Sequence, residues 1–474
     1  MKRILGPLDK RKKTSRCQAC AKRRIKCEGG EPCVYCTRTG KVCQQQPVEE
    51  TAVRFVVARA AAPATSSSLP AQIIKQADIV YLDYFKTFIQ RFNITLDFGS
   101  VGDDLVPLVG NSVALRHVAV AIGALEASRR GSITPPGRQS PRLVAFTAYG
   151  SSIQALQRQI STDKLAYGED MLWGTFLLGV FERMTREAYL QLLAGTSADG
   201  WAKHMVSGTS YLLQLSGPDQ PMPSLRQKLF DGFRVLEVYR SVLYGVPTFL
   251  SQQPWLDVYH QGTPQCDDAE ENRPLEAMLQ LLLRASSFAL RIEQTPEAFR
   301  PHDPVLDTIA IEGLELEQEM IRWLDYSPYG RAVESPCLRV TIINWHATRL
   351  FHHLNFSYYS CWEFRTIPML QQYEIDLHVN SILQESDTVI SDGIIPGIML
   401  LFPLRMAGAC ATDNLVVQKI MGILGRVHHT GFIVSDLIKA DIQALWMHKL
   451  FLNQGGGAAD DMWTKSTSSM SGSF

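Results

Sequence analysis

Hydrophobic positions recur along most of this chain at three- and four-residue steps. Ala77, Tyr81, Tyr84, Phe85, Phe88 and Phe92 form one such stripe, the signature of an amphipathic helix. Val113 to Ser128 is dense in Ala, Val, Ile and Leu, as a buried helix requires. Asp170 stands as an N-cap before Met171-Leu172-Trp173, with Phe176, Leu177, Val180 and Phe181 on the buried side. Further helices are predicted over 201–216, 225–245, 274–292, 309–325, 334–360, 371–391, 396–408, 413–427 and 434–453. Loops are expected at Ser132 to Pro141, Gly217 to Pro223 and Gln261 to Asn272. Strand-like alternation is nearly absent, so residues 76–453 read as a large all-α domain.

The periodicity stops at both ends. Residues 44–75 carry a glutamine run, Ala60 to Ala64 and Ser66 to Ser68, punctuated by Pro47, Pro63 and Pro70. That composition predicts a flexible linker of about 30 Å r.m.s. span. A coiled coil needs apolar a and d positions over about 3–4 heptads. The linker offers only Val53, Phe55, Val56 and Val57 in a knot, so no linker coiled coil is expected. Residues 454–474 are rich in Gly and Ser and read as a disordered tail, with one acidic-aromatic patch at Asp460 to Trp463.

Charge separates the two ends of the chain. The formal net charge over 474 residues is zero. Residues 1–43 nevertheless hold thirteen Lys or Arg against three acids, a net +10, and the remainder carries −10. A short basic head on a mildly acidic body suits a polyanion. Residues 1–16 read as a basic disordered arm, and Lys10-Arg11-Lys12-Lys13 suits a nuclear import signal. No signal peptide is expected, because the N-terminus is charged and lacks an apolar stretch. The most apolar segment, Ile394 to Leu404, is broken by Pro396 and Pro403. It is far short of the roughly 20 apolar residues of a membrane helix.

Of ten cysteines, six crowd into residues 17–43, spaced Cys17-x2-Cys20-x6-Cys27-x5-Cys33-x2-Cys36-x6-Cys43. In a reducing compartment, clustered cysteines hold metal more often than they form disulfides. A Cys-x2-Cys turn lets two thiolates reach one tetrahedral ion, and the six-residue spacer admits a short helix. Six thiolates are too few for two separate four-ligand sites, so two of them must bridge. A 27-residue module cannot bury a sufficient core, so metal must supply its folding energy.

This pattern resembles the fungal binuclear zinc cluster, the six-cysteine transcription factor family. The resemblance implies two Zn²⁺, with Cys17 and Cys33 bridging. Cys20 and Cys27 complete one site, and Cys36 and Cys43 the other. It also implies that the first short helix points into the major groove of a CGG-like triplet. The base-reading positions, the third and fourth after the second cysteine, hold Arg23 and Arg24. Arg24 departs from the usual Lys, but Arg pairs bidentately with guanine O6 and N7. Arg16, Lys22 and Lys26 are expected on phosphates, and Ile25 packs.

Downstream, Trp201-x2-His204-x3-Gly208-x3-Leu212-Leu213-x3-Gly217-Pro218 resembles the fungal transcription factor regulatory domain. Leu115-Arg116-His117, Tyr149 to Leu156, and Pro403-Leu404 with Ala407-Gly408 match its habits. His117 and His204 read as hydrogen-bonded core histidines. The adjacent pairs His352-His353 and His428-His429 do not each form a zinc site, because neighbours on a helix point apart. Trp173, Trp201, Trp345 and Trp446 read as core.

The expected fold class is thus a small metal-stabilised zinc cluster with two short helices, plus a large all-α regulatory domain. The expected function is a nuclear, sequence-specific regulator of RNA polymerase II promoters. Its partners are double-stranded DNA and the transcription machinery or co-regulators, with no membrane. Two other classes compete. A helical-domain enzyme is disfavoured by the lack of any P-loop, G-x-G-x-x-G, G-x-S-x-G or H-E-x-x-H motif. A zinc-containing adaptor that does not bind DNA is disfavoured by the basic first helix.

Overall fold

The computed structural model describes residues 17–22, 27, 32–44, 69–95, 98–131, 139–162, 168–185, 199–218, 222–261, 267–294, 303–326, 335–362 and 364–453. The arm at 1–16, most of the linker and the tail at 454–474 lie outside the described residues. The chain divides into two compact units, Met1–Leu69 and Pro70–Phe474.

The first unit contains two short helices, α1 (Gln18–Lys22) and α2 (Val34–Thr39). The second is built of helices, with no strand among its described residues. Its elements are α3 (Leu69–Arg91), α4 (Val101–Asn111), α5 (Val113–Arg129), α6 (Pro141–Thr162) and α7 (Glu169–Arg183). Then come α8 (Asp199–Ser216), α9 (Ser224–Tyr244), α10 (Gln253–Gln261), α11 (Asp267–Gln294) and α12 (Pro304–Tyr326). The last five are α13 (Pro336–Ser357), α14 (Gln372–Asp392), α15 (Leu401–Cys410), α16 (Asn414–His429) and α17 (Ser435–Asn453). None is long and apolar enough to cross a membrane. The fold is therefore a cysteine cluster near residues 17–43 plus a large helical domain.

Two helices organise the body. α5 packs along α6 and α7, and α13 packs against α11, α14 and α15. Ser112 caps α5, its Oγ accepting the Leu115 N–H at 3.4 Å. From Val118 to Ala127 every α5 residue is buried. Small side chains let neighbours come close there: a Cβ on Gly123 would lie 1.8 Å from the Tyr81 carbonyl oxygen of α3. Trp173 of α7 is fully buried, its ring 5.9 Å from Phe98 and 5.8 Å from Phe176. The interior continues without a break into the C-terminal helices. Arg129, at the end of α5, donates to the Met184 and Gly431 carbonyls, each at 2.6 Å. Gly431 takes φ +114°, a backbone shape that side chains rarely allow.

Several boundaries differ from those the periodicity predicts. α3 begins at Leu69, inside the stretch read as linker 44–75. Pro70 lies in its first turn, where a missing N–H loses no helical bond. α11 begins at Asp267, inside the expected loop 261–272, and runs through Pro274. α4 contains Pro107 and escapes the periodicity. The segment after Pro396 opens as a 3-10 turn over Gly397–Leu400 before α15.

Candidate metal centre

The two halves of the cysteine module fold alike. Cys17 and Cys33 each directly precede a short helix, and Cys20 and Cys36 follow three residues later on its first turn. Residues three apart on a helix share a face, so each pair of thiols points the same way. α2 stops at Gly40, whose φ of +60° closes the turn. The module is tied end to end by the Gln18 N–H donating to the Gln44 carbonyl at 2.8 Å.

This folding gathers the sulfurs. Cys17 Sγ lies 3.7 Å from Cys33 Sγ and 3.7 Å from Cys36 Sγ, and Cys20 Sγ lies 3.7 Å from Cys33 Sγ. All four sulfurs fall within 4.8 Å of one another. A tetrahedral ion with bonds of about 2.3 Å sets its ligands about 3.8 Å apart. The donor set therefore fits a thiolate-bound ion such as zinc. Cys27 is buried in the same cluster, and Cys43 packs against it half-buried. Cys43 Sγ accepts the Cys33 N–H at 3.3 Å.

Backbone dipoles and burial pull these thiols apart electrostatically. The Cys20 N–H lowers Cys17 below the ordinary thiol value, and the Cys36 N–H lowers Cys33. The second contact is too loose for a regular N-cap bond. Burial raises Cys20, and it pushes Cys36 up to about 12. Two thiols are shifted toward the anion and two away from it, and a divalent cation would let all four ionise together.

Lys22 ends α1 and is exposed. Arg16, Arg23, Arg24 and Lys26, with Ile25, lie outside the described residues. Arg38 and Lys41 are also exposed on the module. Sequence reading counted them in the charge but gave them no role; their only signal was proximity to the second Cys-x2-Cys.

In the body, the histidines divide. His352 is buried and bonds the Gly313 carbonyl at 2.9 Å, whereas His353 accepts the Leu370 N–H at 3.2 Å. Their opposite directions agree with the reading of adjacent helical positions. His117 departs from its reading: it is half-buried at a surface cleft rather than enclosed in the core. The His204 and Trp201 side chains lie outside the described residues. Trp345 is buried and donates to the Met320 carbonyl at 2.8 Å, and Trp446 is partly buried. A pair that periodicity missed is His346 and His378, with Nδ1 atoms 2.7 Å apart between α13 and α14. Burial lowers both, His346 to about 4 and His378 to about 3. They stand 32 positions apart, so no local pattern announces them.

Residues 80–449 match the family described as the fungal specific transcription factor domain, and the chain belongs to that family. Membership gives it a transcription-regulator role. No curated protein and no solved structure matches the chain. The matched residues begin after the cysteine module, so the reading of the module rests on its spacing and geometry.

Proposed function

We propose that this chain is a nuclear, sequence-specific DNA-binding regulator of RNA polymerase II promoters. In this reading residues 17–43 hold two Zn²⁺ through all six cysteines. Cys17 and Cys33 bridge, Cys20 and Cys27 complete one site, and Cys36 and Cys43 the other. The supporting observation is the sulfur arrangement. Four sulfurs, two from each half of the module, fall within 4.8 Å of one another, and Cys27 and Cys43 pack in the same cluster.

Zinc would supply the module's folding energy and neutralise its thiolates. The chain's own residues then do the reading. In this reading Arg23 and Arg24 contact guanine edges, and Arg16, Lys22 and Lys26 neutralise phosphates. The helical body, separated by the linker, receives a signal or recruits co-regulators and has no catalytic role.

Elemental analysis of purified protein tests the metal count, with two zinc ions per chain expected. One ion or none overturns the binuclear arrangement. Binding to CGG-containing against scrambled duplexes tests the reading of bases. Duplexes with paired triplets at graded separations test the linker: without a coiled coil, the fragment 1–75 should show no sharp preference for one spacing.

A further inference from the structure

The body carries one surface cleft whose chemistry neither the family nor the DNA-binding role explains. It lies between α3, α5 and α6 and has a volume of about 190 Å³, open to solvent on one side. Ligand pockets for drug-sized molecules run to several hundred Å³, roughly 300–1,000, so an occupant here is small. The floor is apolar, formed by the buried Val120 and Ala148. The walls carry Asp78 from α3 and Arg116 and His117 from α5.

These three side chains are charged or polar, yet none has a hydrogen bond or ion pair among the described residues. Asp78 and Arg116 line the same cleft without pairing to each other. Elsewhere in the body such groups do pair: Arg226 meets Glu169 at 2.9 Å, and Arg405 meets Asp441 at 2.6 Å. An acid and a guanidinium held apart across a small cleft match a molecule that carries both charges. Arg presents a planar fork to a carboxylate. Asp accepts from an ammonium. The half-buried imidazole of His117, lining the same cleft, can donate or accept.

We propose that this cleft is an effector site for a small zwitterion of the α-amino-acid class. The carboxylate sits on Arg116, the ammonium on Asp78, and a short aliphatic side chain over Val120 and Ala148. His117 supplies a hydrogen bond. The ligand clamps α3, the first helix of the body, onto α5 and α6. This gives the regulator a chemical input distinct from its DNA.

The test is calorimetric unfolding of the full-length, zinc-loaded chain with each of the twenty α-amino acids at millimolar concentration. At least one with a short aliphatic side chain should raise the midpoint by about 2 °C or more. For valine, the single-charge analogues are isovalerate and isobutylamine, and each should bind at least tenfold more weakly. Asp78→Asn and Arg116→Gln should keep the midpoint of the free protein, because neither group has a hydrogen bond or ion pair among the described residues, and should abolish the shift. The proposal is overturned if no amino acid shifts the midpoint, or if the shift survives both substitutions. It is also overturned if isovalerate matches valine, which would make the cleft a simple anion site. The comparison of analogues uses the unaltered chain, so it stands even if a variant folds poorly.

Discussion

Five of the six module cysteines are buried within 27 residues, and among the described residues Ala19, Tyr35 and Cys43 pack against them. The body instead buries Trp173, Phe92, Phe98, Phe181, Phe230, Phe356 and Phe402 in one continuous interior. The first unit has an interior made of donors, the second an interior made of hydrocarbon. A sulfur cluster without a cation would confine thiols that cannot all ionise, so its stability is expected to depend on an ion and on pH. A hydrocarbon interior needs no ion and depends chiefly on shape and area. One chain can thus hold two units that fail under different conditions.

That contrast breaks most sharply under chelation. Removing zinc should unfold residues 17–43, because structural zinc contributes roughly 10–16 kcal/mol to such modules. Every one of the eight tryptophans lies at or beyond Trp173, so tryptophan fluorescence reports on the body alone. It should stay unchanged while specific DNA binding is lost. A fluorescence change in step with zinc loss would mean the two units fold as one. Cys33→Ala should lose both ions, whereas Cys43→Ala should perturb mainly one.

The opposite break comes from the body. Trp173→Ala should destabilise it by about 3–5 kcal/mol through the cavity left beside Phe98 and Phe176. Gly123→Leu should also lower its unfolding midpoint, since the new Cβ has the Tyr81 carbonyl in its way. In both variants the zinc content should remain that of the parent, measured by elemental analysis.

Acidity sharpens the comparison with a smaller effect. Burial raises the Glu182 carboxyl to about 8, although it accepts a hydrogen bond from the Tyr149 hydroxyl at 2.9 Å. A carboxyl whose folded value exceeds its unfolded value binds more protons when folded. Its contribution to stability is therefore present at low pH and is lost as pH rises between about 4.5 and about 8. Glu182→Gln should flatten the body's stability across that window in denaturant titrations. Zinc affinity should run the other way, strengthening with pH as thiols deprotonate.

The smallest effects concern DNA. Arg24→Ala should cost roughly 1–3 kcal/mol on the specific site and relax base preference there. Lys26→Ala should weaken all sequences alike and flatten the salt slope by about one unit. Equal losses on specific and random duplexes for Arg24→Ala would remove that residue from base reading.

Much of this was legible in one dimension, because the interactions involved are local. The Cys-x2-Cys pairs lie within one turn, so their spacing alone announces shared ligation. Helical stripes such as Phe85, Phe88 and Phe92 declare a buried face by period, and all three are buried. N-cap and proline signals were less decisive. Pro70 reads as a break, yet it lies in the first turn of α3, because position within a helix decides whether a proline is tolerated.

Tertiary structure decided what depends on distant segments meeting. Within the module, the contact of Cys17 with Cys36 and of Cys20 with Cys33 crosses from one half to the other. The His346–His378 pair needs α13 beside α14, and the Arg129 clamp joins positions 302 apart. The cleft of Asp78, Arg116 and His117 exists only where α3 lies beside α5 and α6. Periodicity records which face of each helix avoids water. It holds no record of which other helix that face will meet, and such meetings are set by packing among all the helices at once.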